Sequence, residues 1–272
     1  MLNDCSKTAL ITGASGGIGS ACVRQFLRAG WQVSITALPG LALERLGGPD
    51  VLVVPGDITS EQVRRDVVEQ TLVRYGRIDV LVNNAGVGLY ASPTGVQLDL
   101  MSRLLEINVL AALAMAQAVI PTMRCAGSGS IVNVGSVAAF SSLPWAAAYC
   151  ASKSALHSLS DALRRELRTD RIHVMKVCPG IVDTDFRSNV LGGVVPARVA
   201  SIRSVVTPEA VAAAILNGVE TRRQTVYVPE IGRLFRLVEF VSPRLMDWYI
   251  RGLAASADST PGSKTSLDQQ PQ

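Results

Sequence analysis

Short apolar runs alternate with longer helical segments along most of this 272-residue chain, and this alternation limits the possible folds more than any other feature. The runs have the length and the β-branched content of buried strands. Predicted strands cover residues 7–12, 32–37, 51–54, 78–82, 130–134, 172–177 and 225–228. Strands that alternate with helices build a parallel sheet with helices on both faces. We therefore predict an α/β fold with one doubly wound sheet of about seven strands.

Helical periodicity fills most of the intervals between these strands. Predicted helices cover 20–29, 61–75, 102–123 and 145–168, a short irregular or helical piece runs up to residue 46, and another helix begins at Thr207-Pro208-Glu209. In that last motif a Thr cap, a Pro in the first turn and an acidic residue all favour a helix start. The length fits one large domain, assigned to residues 1–252, with a polar, disordered tail over 253–272.

A glycine-rich turn, Gly13-Ala14-Ser15-Gly16-Gly17-Ile18-Gly19, joins the first strand to the first helix. Glycines let the backbone approach a pyrophosphate, and a helix N-terminus offers free N–H groups and partial positive charge. The spacing differs from G-x-G-x-x-G, and a tight turn that binds nothing is the alternative. The strand–turn–helix context favours a dinucleotide site.

Tyr149 and Lys153 lie four residues apart on a predicted helix, so their side chains share one face. An ammonium beside a phenol stabilises the phenolate and lowers the pKa of the tyrosine. The pair could then act as an acid or base near neutral pH. An ordinary amphipathic helix with a chance Tyr and Lys is the alternative.

Several polar or turn-forming residues follow the ends of predicted strands. Ligands bind outside the carboxyl ends of the strands in parallel sheets, so these residues should gather at one edge of the sheet. They are Gly13, Asp57, Asn83, Ser136 and Pro179.

Composition narrows the function classes. A net charge of +4 gives no reason to expect nucleic-acid binding. Five single cysteines without a C-x-x-C pair indicate reduced thiols and a cytoplasmic location, and with only two histidines no metal site is predicted.

These motifs, in this order, resemble the short-chain dehydrogenase/reductase family, in its shorter, non-epimerase-like branch with a Rossmann-like fold. Residues 12–19 resemble the cofactor loop of the family, and Asn83-Asn84-Ala85-Gly86 resembles its motif after the fourth strand. Pro179-Gly180 with Thr184 resembles its nicotinamide-side loop. The positions that match the catalytic four of the family are Asn108, Ser136, Tyr149 and Lys153.

The resemblance implies a role for each of these residues. Tyr149 would exchange a proton with the substrate oxygen, which Ser136 holds. Lys153 would lower the pKa of Tyr149 and bind the nicotinamide ribose, and Asn108 would position a water. The implied cofactor contacts are Gly13, Ser15, Gly17, Ile18, Gly19, Asp57, Ile58, Asn84, Ala85, Gly86, Tyr149, Lys153, Pro179, Gly180, Val182 and Thr184.

Structural roles are the alternatives for some of them. Asn108 could mend a helix irregularity, Asp57 could cap a helix, and Asn83 and Gly86 could serve a turn.

Ala37-Leu38 ends the second predicted strand, where NAD users of the family carry an acid and NADP users often carry a base. The missing acid removes a repulsion against a 2′-phosphate, so NADP(H) is favoured over NAD(H). Contacts from Ser15, Thr36 and Arg45 could contribute.

The resemblance implies an NAD(P)(H)-dependent enzyme that interconverts an alcohol and a carbonyl. An apolar lid segment, 185–206, with a hinge at Gly192-Gly193, favours an apolar substrate such as a lipid, steroid, retinoid or terpenoid. The lid carries Phe186, Val190, Leu191, Val194 and Val195. The alternative from another class is a dinucleotide-binding regulator without turnover.

Two further features of the sequence indicate contacts with other subunits or with a membrane. Helices 102–123 and 145–168 carry apolar surface, and the resemblance makes them the face of a homodimer or homotetramer. Segment 233–251 alternates apolar residues with arginines and breaks near Pro243. It could lie on an anionic membrane as a peripheral contact, or else cover the substrate pocket or pack on a subunit.

Overall fold

A computed structural model of the protein describes residues 6–187, 189–194 and 206–254. Its centre is a seven-stranded sheet in the order β3-β2-β1-β4-β5-β6-β7, with parallel pairing throughout. The strands are β1 (Thr8–Thr12), β2 (Gln32–Thr36), β3 (Val51–Val53), β4 (Val80–Asn83), β5 (Gly129–Val134), β6 (Ile172–Pro179) and β7 (Thr225–Val228). The predicted doubly wound α/β fold is confirmed.

Nine α-helices accompany the sheet in the described residues. They are α1 (Gly17–Arg28), α2 (Leu41–Glu44), α3 (Glu61–Tyr75), α4 (Leu98–Leu105), α5 (Ala111–Cys125), α6 (Ala147–Glu166), α7 (Pro208–Glu220), α8 (Gly232–Val241) and α9 (Pro243–Ala254). A π-helical turn, Glu106–Leu110, joins α4 to α5, and 3₁₀ turns lie at Val137–Ala139 and Asp185–Arg187. The Thr207 hydroxyl caps α7 as predicted, accepting from the Ala210 N–H at 3.2 Å.

Apolar packing covers the two faces of the sheet separately. On one face the strands bury their side chains against α1 and α7, around residues such as Phe26 and Ile215. On the other face α3 and α5 supply Val67 and Met115, which are fully buried. Because β1 lies between β2 and β4, the chain reverses direction across the sheet after β3. A crevice at the carboxyl ends of β1 and β4 follows from that reversal.

The structure differs from the predicted boundaries at several ends. Helix α1 begins at Gly17 rather than at residue 20, because the glycine turn itself forms the first helical turn. The helix predicted over 102–123 begins at Leu98 and continues through the π turn. Leu253 and Ala254, assigned to the tail, belong to α9, and the remaining tail residues lie outside the described ranges.

One continuous helical stretch, Leu98–Cys125, is apolar enough and long enough to cross a bilayer by those two criteria alone. Half of its apolar window is buried inside the domain, as in the core helix of a soluble protein, so the stretch is weak evidence for a membrane span.

Helix α6 approaches the sheet most closely at Gly135, directly after β5. A Cβ on Gly135 would overlap the imidazole of His157, which is buried beside the Phe140 ring at 5.0 Å and the Cys178 thiol at 3.7 Å. The contact leaves no room for a side chain, so residue 135 fixes the distance between α6 and the sheet.

Gly135→Ala is expected to lower the free energy of unfolding by about 1–3 kcal/mol, because a buried ring and the sheet must move apart. Urea unfolding of the two proteins measures the difference. Gly95→Ala is the matched control, since a Cβ at Gly95 meets no atom within 4 Å. Equal unfolding midpoints for Gly135→Ala and the wild type would contradict the close packing of α6.

Candidate active site

Gly13 opens the glycine turn in the left-handed region, with φ +64°. A Cβ on Gly13 would lie 2.7 Å from the Ala85 Cα, and a Cβ on Gly19 would overlap the Gly13 carbonyl oxygen. Space therefore requires glycine at both positions, and at Gly13 the backbone conformation favours it as well. Ser15 and Gly16 are exposed at the tip of the turn, and Ile18 packs partly on the core.

The loop after β4 is bonded directly to this turn. The Asn84 side-chain amide donates to the carbonyls of Thr12 and Gly13 at 3.1 and 3.0 Å. The Thr12 hydroxyl accepts from the N–H groups of Asn84 and Ala85, both at 3.1 Å. Thr12 is a positioning residue, whereas from the sequence it was identified only as the first residue of the cofactor-loop motif. Its signal was a hydroxyl at the last position of an otherwise apolar strand.

Ser136, Tyr149 and Lys153 meet at the carboxyl end of β5, as predicted. The Ser136 hydroxyl is hydrogen-bonded to the Tyr149 phenol and also accepts from the Ala138 N–H at 3.1 Å. The Lys153 Nζ lies 5.8 Å from the centroid of the Tyr149 ring and donates to the Val134 carbonyl at 2.9 Å. Tyr149 and Lys153 therefore share one face of α6, with Ser136 opposite.

Burial controls the protonation of this cluster. It raises the pKa of Tyr149 above its ordinary value, although the hydrogen bond with Ser136 acts in the opposite direction. It also lowers the pKa of Lys153 to about 8. The causes of the Tyr149 shift do not include Lys153, so the expectation that Lys153 lowers the pKa of Tyr149 stays a prediction.

Asn108 lies buried in the π turn between α4 and α5. Its Oδ1 accepts from the Val87 N–H at 2.9 Å, and its Nδ2 donates to the Val87 carbonyl at 3.0 Å and to the Ser152 hydroxyl at 3.1 Å. Ser152 in turn donates to the Tyr149 carbonyl at 2.8 Å. Asn108 thus ties the loop after β4 to the backbone of Tyr149. Ser152 is a connecting residue that the sequence analysis missed, although it stands three residues after the tyrosine.

Gly86 completes the approach of this loop to the cluster. A Cβ there would lie 3.1 Å from the Asn108 Oδ1 and 3.5 Å from the Lys153 Nζ.

Asp57 and Ile58 follow β3 and have local partners. The Asp57 carboxylate accepts from the N–H and the hydroxyl of Thr59 at 2.9 and 2.8 Å and pairs with Arg103 at 2.7 Å. Partial burial acts to raise the pKa of Asp57, but these bonds outweigh that effect and lower the pKa. The Ile58 side chain is buried in the core, so only its backbone faces the crevice side for a ligand contact. The helix-cap role foreseen for Asp57 is not observed, because Ser60 is the N-cap of α3; Asp57 instead stabilises the turn before this helix through Thr59.

The segment after β6 reaches back to the glycine turn. Pro179 ends β6 opposite Val228, and the Gly180 N–H donates to the Val228 carbonyl at 2.8 Å. Val182 forms a β-bridge with Val206. Thr184 lies over the N-terminus of α1, where a Cβ on Gly17 would overlap its side chain.

The end of β2 carries no charged side chain. Ala37 is 8% exposed and packs on the core, whereas Leu38 is 65% exposed. Thr36, named above as a contributing contact, is fully buried.

Apolar and aromatic side chains lie in the region of Tyr149. The Phe186 ring lies 5.7 Å from the Tyr149 ring, and Phe186, Val190 and Tyr90 converge on Gly88. Leu191 packs on a small apolar cluster that contains Leu89, Leu104 and Ala148.

The proposed hinge at Gly192-Gly193 is packed rather than open. The Tyr90 N–H donates to the Gly192 carbonyl at 3.1 Å, and a Cβ on Gly193 would overlap the Tyr90 carbonyl. Val195, also assigned to the lid, lies outside the described residues.

A dinucleotide fits this edge of the sheet. Gly13, Gly17 and Gly19 form a cradle that side chains would fill, and the first N–H groups of α1 have no partners within the helix. The turn would hold the pyrophosphate, and the loop 84–86 and Thr184 border the cluster of Tyr149. Among the described residues, no group of three or more His, Cys, Asp or Glu side chains could hold a metal ion.

Comparisons with known proteins agree with this geometry. A family described as short chain dehydrogenase matches residues 7–192. A Drosophila melanogaster protein named dehydrogenase/reductase SDR family protein 7-like is 33% identical over 69% of this chain and 60% of its own length. The human dehydrogenase/reductase SDR family member 7 is 34% identical over 67% of this chain and 57% of its own length. The chain therefore spans less than two thirds of these two relatives.

Two solved structures are similar along most of the chain. A short-chain dehydrogenase from Streptomyces avermitilis has a TM-score of 0.79 at 28% identity, over 93% of this chain and 99% of that one. A 3-ketoacyl-(acyl-carrier-protein) reductase from Brucella melitensis, complexed with NADH, has a TM-score of 0.75 at 28% identity. The match covers 82% of this chain and 96% of that one. The glycine cradle and the Tyr149–Lys153 pair agree with the match over residues 7–192. The chain belongs to the short-chain dehydrogenase/reductase family of NAD(P)-dependent oxidoreductases.

Proposed function

We propose that the protein interconverts an apolar alcohol and its ketone or aldehyde, with Tyr149 as the proton-transfer residue. The observation that carries this proposal is the Tyr149 phenol, hydrogen-bonded to Ser136 and stacked beside the buried Lys153 ammonium at the edge of the glycine cradle. When bound, the nicotinamide supplies or accepts the hydride. A regulator without turnover would have no need of this arrangement.

Each residue of the cluster has a distinct task. Ser136 holds the substrate oxygen beside the phenol, and Tyr149 gives a proton to that oxygen or takes one from it. Lys153, held by the Val134 carbonyl, keeps its ammonium next to the phenol and toward the ribose side. Asn108 orders the loop that carries Gly86 and, through Ser152, the backbone of Tyr149. We also propose that Asn108 positions a water molecule.

The raised pKa of Tyr149 favours one direction of reaction. A group whose pKa lies above 10 is protonated at neutral pH, so it serves as an acid that donates to a carbonyl oxygen. We therefore expect carbonyl reduction to proceed without prior ionisation of Tyr149 and alcohol oxidation to become faster as the pH rises.

An apolar substrate is supported by the walls of the site. The Phe186 ring lies beside Tyr149, Val190 and Tyr90 meet Phe186 at Gly88, and Leu191 packs on the apolar cluster that contains Ala148. None of these four side chains carries a formal charge at neutral pH. Lipid, steroid, retinoid and terpenoid alcohols, with their carbonyl counterparts, are the substrate classes that such walls suit.

Tyr149→Phe should lower kcat about a hundredfold or more while the fold and cofactor binding persist, because only the transferable proton is lost. The assay follows NADPH and NADH absorbance with ketones of increasing chain length. Tyr75→Phe, the same change at the end of α3, is the control and should keep full activity. Near wild-type kcat in Tyr149→Phe would remove Tyr149 from the mechanism and favour another role for the cluster.

NADP(H) is the preferred cofactor in this proposal, because neither Ala37 nor Leu38 presents a carboxylate to repel a 2′-phosphate. No base is present at these two positions either, so the preference should be modest.

Ala37→Asp should shift the ratio of kcat/KM for the two cofactors toward NAD(H) by about a hundredfold, since a carboxylate would repel the 2′-phosphate. Leu38→Arg should shift it toward NADP(H). Ala37→Asn and Leu38→Gln are the neutral controls, and melting curves test whether a polar group at the buried position 37 unfolds the strand end. An unchanged ratio in well-folded Ala37→Asp would show that residue 37 does not face the adenosine ribose.

We also propose a homodimer or homotetramer built on α5 and α6. A groove between these helices is lined by apolar side chains such as Leu113, Ile120, Leu159 and Leu163. The chain is proposed to work in the cytoplasm, since Cys22, Cys150 and Cys178 are buried free thiols.

Light scattering at micromolar concentration should give two or four times the mass of one chain. Leu159→Arg, in the groove, should reduce this mass to that of a monomer, because an unpaired charge at such an interface opposes association. Val73→Arg, at an 82% exposed position on α3, should leave the mass unchanged. A monomer mass for the wild type would contradict the assembly.

A further inference from the structure

Helices α8 and α9 form a hairpin that is attached to the domain along one side. At its start, Gly232 packs against Val137, where a Cβ would lie 3.0 Å from a Val137 methyl group. The Arg236 guanidinium lies 5.4 Å from the centroid of the Phe140 ring. The two helices contact each other through Phe235 and Tyr249, with ring centroids 5.9 Å apart.

Helix α8 presents large apolar residues to solvent, whereas a surface helix usually buries them. Its domain-facing side carries Val238 and Glu239, which are partly buried, and Arg236, which is exposed overall but donates to the Tyr227 hydroxyl at 3.3 Å. Its outward side carries large apolar residues at helical spacing. Their exposed fractions are 52% for Leu234, 56% for Leu237, 86% for Phe240 and 70% for Val241.

Helix α9 continues the same surface. Met246 and Ile250 are buried, whereas Leu245 and Trp248 are exposed by 51% and 73%. We define the apolar hairpin face as the set Ile231, Leu234, Leu237, Phe240, Val241, Leu245 and Trp248. Large apolar residues exposed in this number on one hairpin mark a contact with a partner or a membrane.

We propose that the apolar hairpin face binds the surface of a bilayer that contains anionic lipids. The two hairpin helices, over residues 232–254, contain four arginines and two acidic residues, so the hairpin has a net charge of +2. Arg233, Arg244 and Arg251 are exposed beside the apolar residues. Apolar side chains that enter the headgroup region, flanked by arginines and an interfacial tryptophan, are the pattern of a peripheral membrane helix.

Charge favours the membrane over a second copy of the chain on this face. A two-fold interface would place the same arginines on both sides, and like charges would oppose each other. An anionic surface pairs with them instead. Residues 255–272 contain a single large apolar residue, Leu267.

The test uses the full chain and vesicles, with no substrate or cofactor. The protein should sediment with vesicles of phosphatidylcholine and phosphatidylglycerol, more weakly with phosphatidylcholine alone, and less at high salt. The emission of Trp248 should shift to shorter wavelength on binding. The double variant Phe240→Ser/Trp248→Ser should bind at least about tenfold more weakly, because each large apolar side chain contributes roughly that factor.

Val73→Ser/Leu98→Ser is the matched control, since these residues are 82% and 78% exposed but lie outside the hairpin. It should bind vesicles like the wild type. Absence of binding to either kind of vesicle would overturn the proposal, as would equal losses in both double variants. A fall in oligomer mass in Phe240→Ser/Trp248→Ser would assign the face to a contact between copies. These readouts do not depend on turnover, so they separate this inference from the proposed reaction.

Discussion

The site depends on the seating of one helix, α6, on the carboxyl half of β5. A buried ammonium is costly unless it is hydrogen-bonded, and Lys153 satisfies this need by donating to the Val134 carbonyl. Lower on the same helix, the Asn133 side chain donates to the Ser160 hydroxyl at 2.8 Å. Two buried polar bonds a few residues apart allow one register of helix on strand. Tyr149, one turn before Lys153, is then held beside Ser136.

Close backbone contacts also fix the positions of the loops after β1 and β4 relative to α6. Asn84 and Thr12 lock the loop after β4 to the glycine turn after β1, while Asn108 connects that loop to α6 through Ser152. Glycines are placed where these pieces come within contact distance of one another. The cradle for a dinucleotide and the proton-transfer cluster are therefore parts of one hydrogen-bonded assembly. A displacement of either part would move the other.

Burial has opposite consequences at the two functional surfaces. At the site it raises the pKa of Tyr149 and lowers that of Lys153, so it favours the neutral forms and the acid role of the phenol. At the hairpin, Met246 and Ile250 are buried, but large apolar side chains such as Phe240 and Trp248 are exposed. The first residue of α8, Gly232, packs against Val137, which directly follows Ser136, so a bilayer-bound face would bring the site close to the source of an apolar substrate.

The sequence by itself determined the elements and the identity of the chemistry. Helix α3 and strand β7 have the predicted bounds, because periodicity and turn residues act locally. The four-residue spacing of Tyr149 and Lys153 determined that they share a face. Tertiary structure alone decided the direction of the Tyr149 pKa shift, the burial of Ile58 in the core and the outward direction of the apolar face of α8. These properties depend on which atoms pack around a side chain, and those atoms come from segments far apart in the chain.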